Sequence, residues 1–256
     1  MEPTVSSIAS DCAAAKAASR TLAFATTEAK NRALESIASG LRARTEAVLE
    51  ANAADLADER ARDLTDALID RLSLDRDRVE AMAAGVEAVA ALDDPVGEVL
   101  EMRDLENGIE LSKVRVPLGV VAVVYEARPN VTIDCAVLTI KSGNAILLRG
   151  SSYAERTNGA LAEIVREGLS DAGLPADSVV LSTGGGRDQL AELATQDGVI
   201  DLLIPRGGEG LKNALKDVAT VPVMYAASGN CHVYVNSDAD LDMARAIIIN
   251  AKVSRP

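Results

Sequence analysis

Leu118-Gly-Val-Val-Ala-Val-Val-Tyr125 decides the fold. Its apolar residues run on without polar alternation, the pattern of a strand buried on both faces. Strands of that kind belong to parallel sheets, whose crossover connections cover both faces with helices. The segments that follow keep the same rhythm. Asn130 to Lys141 reads as a helix, with Gly143 just past its end as a left-handed stop. Ala145-Ile-Leu-Leu-Arg149 reads as the next strand, and residues 152–171 as the next helix, closed by Gly173 and Pro175. Further strands are expected at 179–181, 200–204, 221–225 and 232–235, and further helices at 187–195, 211–218 and 241–253. The alternation predicts an α/β fold, a Rossmann-like parallel sheet with right-handed crossovers and helices on both faces.

Residues 1–95 differ in texture. They are rich in Ala, Glu, Asp and Arg, and apolar residues recur at helical spacing. Leu34, Ile37, Leu41 and Val48 form one series; Leu64, Leu68 and Leu72 a second; Val79, Met82, Val86 and Val89 a third. Each marks one buried stripe on a charged helix. Asp93-Asp94-Pro95 ends this region as a turn. The expected organisation is therefore an N-terminal helical region, 1–95, belonging to the domain whose sheet occupies 96–256.

Composition removes several functions. The 256 residues carry 26 Lys plus Arg against 39 Asp plus Glu, a net charge of −13. An acidic chain repels phosphate backbones, so nucleic acid is not expected as a partner. Aromatics are 2% of residues, with one Phe and no Trp, so base-stacking platforms are not expected. Cys12, Cys135 and Cys231 are scattered, without a Cys-x-x-Cys pair, and His232 is the single histidine, so no metal site is expected. No apolar run reaches membrane-spanning length, and the first 30 residues lack the order of a secretory signal; a reduced, cytoplasmic protein is the expectation.

In a parallel sheet, ligands bind at the carboxyl ends of the strands. Four loops follow strand ends: Glu126-Ala-Arg-Pro-Asn130, Arg149-Gly-Ser-Ser152, Thr183-Gly-Gly-Gly186 and Pro205-Arg-Gly-Gly-Glu-Gly210. Glycine lets a backbone approach a phosphate closely, and the helix behind it presents free N–H groups. Arg149 and Arg206 add positive charge. The same turns could simply join strands to helices, and neither formal dinucleotide fingerprint is present. Asn130 could cap its helix, or donate its amide to a developing oxyanion. Arg128 and Lys141 are basic neighbours suited to an anionic substrate, or ordinary surface cations. Cys231 and His232, adjacent on an expected strand, would point to opposite faces and not form a thiolate–imidazolium pair.

The stretch Val116-Pro-Leu-Gly-Val-Val-Ala-Val-Val-Tyr-Glu-Ala-Arg-Pro-Asn-Val-Thr132 closely resembles the glutamate-5-semialdehyde dehydrogenases, or gamma-glutamyl phosphate reductases, of the aldehyde dehydrogenase superfamily. Leu138-Thr-Ile-Lys-Ser-Gly-Asn-Ala-Ile-Leu-Leu-Arg-Gly150, Ile204-Pro-Arg-Gly-Gly208 and Ala227-Ser-Gly-Asn-Cys-His-Val-Tyr-Val235 match the same family. Ser237-Asp-Ala-Asp-Leu-Asp-Met-Ala244 is shared across the superfamily. The resemblance implies an aldehyde-dehydrogenase-like fold and an NADPH-dependent reduction of L-glutamate 5-phosphate to L-glutamate 5-semialdehyde, a step of proline biosynthesis. It implies a homo-oligomer when complete, and a functional link to glutamate 5-kinase.

Residue by residue, the resemblance places the Asn130 amide at the oxyanion and Arg149, Gly150 and Ser152 at the adenosine ribose. A cation at Arg149, with Ser152 where NAD-specific members often carry Glu, suits a 2′-phosphate. Gly207 and Gly208 fall beside the cofactor pyrophosphate, and Ala226 where hydrolytic members keep a catalytic glutamate. In the family, the segment matching Val253-Ser-Arg-Pro256 continues Gly-Val-Cys, and that cysteine is the nucleophile. The expectation is thus a fragment that ends before the nucleophile and lacks the C-terminal catalytic domain. The alternative is a catalytically inactive nucleotide-binding module.

Overall fold

The computed structural model describes residues 7–62, 64–183, 186–225 and 231–253. Five helices open the chain: α1 (Ile8–Leu22), α2 (Thr27–Ala43), α3 (Thr45–Leu56), α4 (Asp66–Leu72) and α5 (Arg76–Ala90). Four begin at a side-chain cap, Ser7, Thr26, Thr65 and Asp75, each accepting a backbone N–H from three residues on. These caps satisfy N–H groups that the first helical turn leaves free. An antiparallel hairpin follows, β1 (Val99–Asp104) and β2 (Glu110–Val114). Then come β3 (Val120–Tyr125), α6 (Asn130–Lys141), β4 (Ala145–Arg149), α7 (Glu155–Asp171), β5 (Val179–Leu181), α8 (Arg187–Ala194), β6 (Leu202–Arg206), α9 (Glu209–Lys216) and α10 (Leu241–Val253).

The main sheet has the order β5-β4-β3-β6, and every neighbouring pair is parallel. Both faces are covered. Val121, Val123 and Tyr125 point into a core built with α2, α5, α6 and α7. Val120, Ala122 and Val124 point the other way, into a core shared with α1, α8 and α9. The period of two along a fully buried strand produces this division. At the entrance to β3, Gly119 takes φ +126°, and any Cβ there would fall 2.2 Å from Asp201 Oδ2. That carboxylate accepts the Val120 N–H at 2.8 Å and Lys16 Nζ at 2.8 Å, tying α1, β3 and the start of β6 together.

Four features depart from the sequence expectation. The hairpin was not expected, although it has a local signal: Asn107-Gly108, with Gly108 at φ +82°, turns between Leu100 and Met102 on one side and Ile109 and Leu111 on the other, while every residue of both strands is exposed. Residues 221–225 make one parallel bridge, Leu203 to Val223, instead of a strand. Pro222 has no N–H to give a longer ladder. Residues 232–235 do not form a strand. The helix expected at 152–171 begins with a 3₁₀ turn, Ser152–Ala154, before α7.

Residues 1–225 form one compact unit and 226–256 a second. Within the second, Asp240 Oδ1 caps α10 through the Asp242 and Met243 N–H groups, and Lys252 Nζ donates to the Cys231 carbonyl at 2.7 Å.

Candidate functional site

The chain leaves β3 toward β4 on one side, while β6 lies on the other. That reversal is a topological switch point, and the carboxyl ends of β3, β4, β5 and β6 open a crevice there.

A cleft of about 210 Å³ lies beyond β4 and β5, lined by Arg149, Ser151, Ser152, Ser182 and Thr183 among others. Arg149 ends β4, lines the cleft and donates from Nη2 to the Gly186 carbonyl at 2.9 Å. Burial holds its pKa below the usual guanidinium value, the sign of a cation kept from water. Gly150 has no room for a side chain: a Cβ would fall 2.2 Å from Asn158 Nδ2 and 3.1 Å from the Tyr125 ring. Beneath it runs a buried network. Tyr125 Oη and Thr132 Oγ1 are 2.7 Å apart, and Thr132 Oγ1 donates to Asn158 Oδ1 at 3.0 Å. The acidic wall residue Glu155 is paired with Arg60 at 3.3 Å.

The N-terminus of α7 is already occupied by the chain itself. Asp55, 1% exposed, accepts the Thr157 N–H at 2.8 Å, the Thr157 hydroxyl at 2.7 Å and the Arg156 N–H at 3.2 Å. An anion in the cleft therefore relies on Arg149 and the hydroxyls, not on the α7 dipole.

At the turn from β6 to α9, Glu126 reaches over from the end of β3. Its Oε1 accepts the Gly208 N–H at 3.0 Å. A Cβ on Gly207 would sit 2.7 Å from the same oxygen.

Asn130 is the first residue of α6 and does not cap it; the cap position is Pro129. Its amide instead donates from Nδ2 to Asp134 Oδ2 at 2.9 Å. Burial pushes the Asp134 carboxyl up, against the pull of the Asn130 amide and Arg206. Cys135 is pushed up to about 11 by burial and the neighbouring Asp134. Cys12 also reaches about 11, by burial with Asp11 and Glu192 nearby. Neither thiol is set up as a thiolate nucleophile.

The structure thus brings Arg149, Gly150 and Ser152 to one cleft, with Gly207, Gly208 and Asn130 at the neighbouring strand ends. Arg128 stands exposed in the β3–α6 turn. Lys141 is a correction. It closes the far end of α6, eleven residues or about 16 Å from Asn130, and is 3% exposed. Its Nζ donates to Asn31 Oδ1 at 2.7 Å and the Ala90 carbonyl at 2.8 Å. It joins helices and does not face the strand-end loops. Gly184, Gly185 and Ala226 lie outside the described residues. Sequence reasoning missed Asp55, Glu126 and Asp134; only Glu126 had a signal, its place in a strand-end loop.

A family model described as the aldehyde dehydrogenase family matches residues 2–255. The chain belongs to the aldehyde dehydrogenase family. It is 51% identical, over 96% of its length, to a gamma-glutamyl phosphate reductase of Kineococcus radiotolerans, of which it covers 57%. It is 47% identical, over 94% of its length, to one of Clostridium novyi, of which it covers 58%. Among solved structures of the family, a gamma-glutamyl phosphate reductase of Thermotoga maritima superposes with a TM-score of 0.90 at 40% identity, over 98% of this chain and 61% of that one. The α/β fold is thus the family's own, and the chain spans under two thirds of these aldehyde dehydrogenase relatives.

Proposed function

We propose that this chain carries the NADPH-binding part of a gamma-glutamyl phosphate reductase, which reduces L-glutamate 5-phosphate to L-glutamate 5-semialdehyde and releases phosphate in proline biosynthesis. The identity to curated reductases along almost the whole chain supports the reaction. One structural observation supports the cofactor: a partly buried guanidinium, Arg149, set among four hydroxyls in a cleft floored by a glycine. That donor set fits a phosphate on a ribose. Arg149 and Ser152 would hold the 2′-phosphate, with Gly150 allowing the backbone to approach. Gly207 and Gly208 would face the pyrophosphate. The cofactor supplies a hydride. The Asn130 amide would stabilise the oxyanion of the reacting carbonyl, and Arg128 would meet the anionic substrate.

For these 256 residues by themselves, the alternative reading is binding without turnover; Cys12 is buried and Cys135 half-buried, and burial pushes both thiols up. The complete protein is proposed to act in the cytoplasm as a homo-oligomer, functionally linked to glutamate 5-kinase, which makes an acyl phosphate of this kind. Among the described residues, no helix is long and apolar enough to cross a membrane.

Limited proteolysis with and without NADPH tests the cofactor assignment. Saturable protection of the loops after β4 and β6 is expected. Unchanged cleavage at saturating NADPH would overturn it.

A further inference from the structure

The Glu126 carboxylate sits where the proposed function puts an anion. It is bonded to the Gly208 N–H that opens α9, and its Oε1 fills the space a Gly207 side chain would take. Its backbone N–H also contacts the Arg206 carbonyl at 3.4 Å, so the residue bridges β3 and β6 at the switch point. A carboxylate on a helix N-terminus makes the same charge-assisted contact that a phosphate would make. Two anions cannot share one N–H group and one dipole end without repulsion. Glu126 is exposed on its outer side, and its side chain has three torsions about which to swing away.

We propose that Glu126 is a built-in competitor for the pyrophosphate seat, which it must vacate when the dinucleotide binds. It thereby lowers cofactor affinity and keeps the α9 N-terminus satisfied in the free protein. This inference rests on the cofactor reading above and concerns one residue of that site. The competition is local to the pyrophosphate. The Arg149 cleft, two strands away in the order β4-β3-β6, does not feel it.

The test compares the unsubstituted chain with Glu126→Gln and Glu126→Ala, titrated with NADPH and with adenosine 2′-monophosphate, which has no pyrophosphate. Removing the charge is expected to tighten NADPH roughly three- to thirty-fold, the range of a carboxylate at a helix N-terminus. Adenosine 2′-monophosphate is expected to bind all three proteins alike, which also shows that the variants are folded. NADPH binding that is equal or weaker in both variants, with adenosine 2′-monophosphate unchanged, would overturn the proposal and leave the cofactor reading intact. Failure of all three proteins to bind either ligand would overturn both.

Discussion

Replacing Arg149 by Met removes the cation that lines the cleft among the described residues, at nearly the same length and without adding charge. In the structure the guanidinium is partly desolvated and anchored to the Gly186 carbonyl. A hydrogen bond to a charged partner in such a setting contributes about 1.5–3 kcal/mol. The loss on NADPH should therefore be roughly 10- to 150-fold in Kd, at about 1.4 kcal/mol per factor of ten. NADH, which lacks the 2′-phosphate, loses only what the loosened Gly186 loop costs. The assay is fluorescence titration of both nucleotides against both proteins. The informative quantity is the ratio of the two affinities, because any general loosening of the cleft cancels in it. Arg149→Glu should shift the ratio further in the same direction, by repulsion. Equal weakening of NADPH and NADH would refute the reasoning and return Arg149 to a structural role.

Two further outcomes follow from the packing. Asp55→Ala leaves two N–H groups and a hydroxyl at the α7 start without their acceptor. The cost is about 3 kcal/mol, or roughly 6–12 °C in Tm for a chain of this size, read by thermal unfolding. Asp94 concerns pH. Burial raises its carboxyl, but Lys30, Thr27 and the Val96 N–H outweigh that and hold it below its ordinary 3.8. Lys30 is 1% exposed and lies 2.5 Å away. A depressed carboxyl stabilises the fold above the unfolded value and loses that contribution as pH falls through the folded one. Urea unfolding should show Asp94→Asn about 3 kcal/mol less stable at neutral pH, with the gap to the unsubstituted protein closing below about pH 3.8. A gap that is constant down to pH 3 would count against the buried pair.

What the sequence discloses here follows from how far apart the interacting residues lie along the chain. The apolar run of β3 announced a doubly covered strand, and Val120 to Tyr125 do alternate between two cores. Leu34, Ile37 and Leu41 of α2, and Val79, Met82 and Val86 of α5, are buried stripes that local spacing marks; the series Leu64, Leu68, Leu72 is not one, since Leu64 precedes α4 and only Leu72 is buried there, and Val48 belongs to α3. The hairpin was legible too, in Asn107-Gly108 between alternating apolar residues, but its two exposed faces give it no buried stripe. Residues 221–225 had the composition of a strand, and Pro222 interrupts it. In the site, glycines and Arg149 could be picked out because they stand in strand-end turns. Asp55 acts 102 residues from Thr157, and Glu126 acts 82 residues from Gly208. No spacing rule reaches across such distances; only the folded crossovers bring those groups together. Lys141 was misjudged for the converse reason. It follows closely in sequence on the β3 loop, but a helix of twelve residues carries it to the other end of the sheet.

Phosphate dependence tests the proposed reaction. The full translation product of the coding sequence would be given glutamate 5-semialdehyde, NADP⁺ and inorganic phosphate, with NADPH followed by its absorbance. NADPH is expected to form only when all three are present, since the reverse of acyl phosphate reduction consumes phosphate. NADPH formation without phosphate, or none with all three, would contradict it.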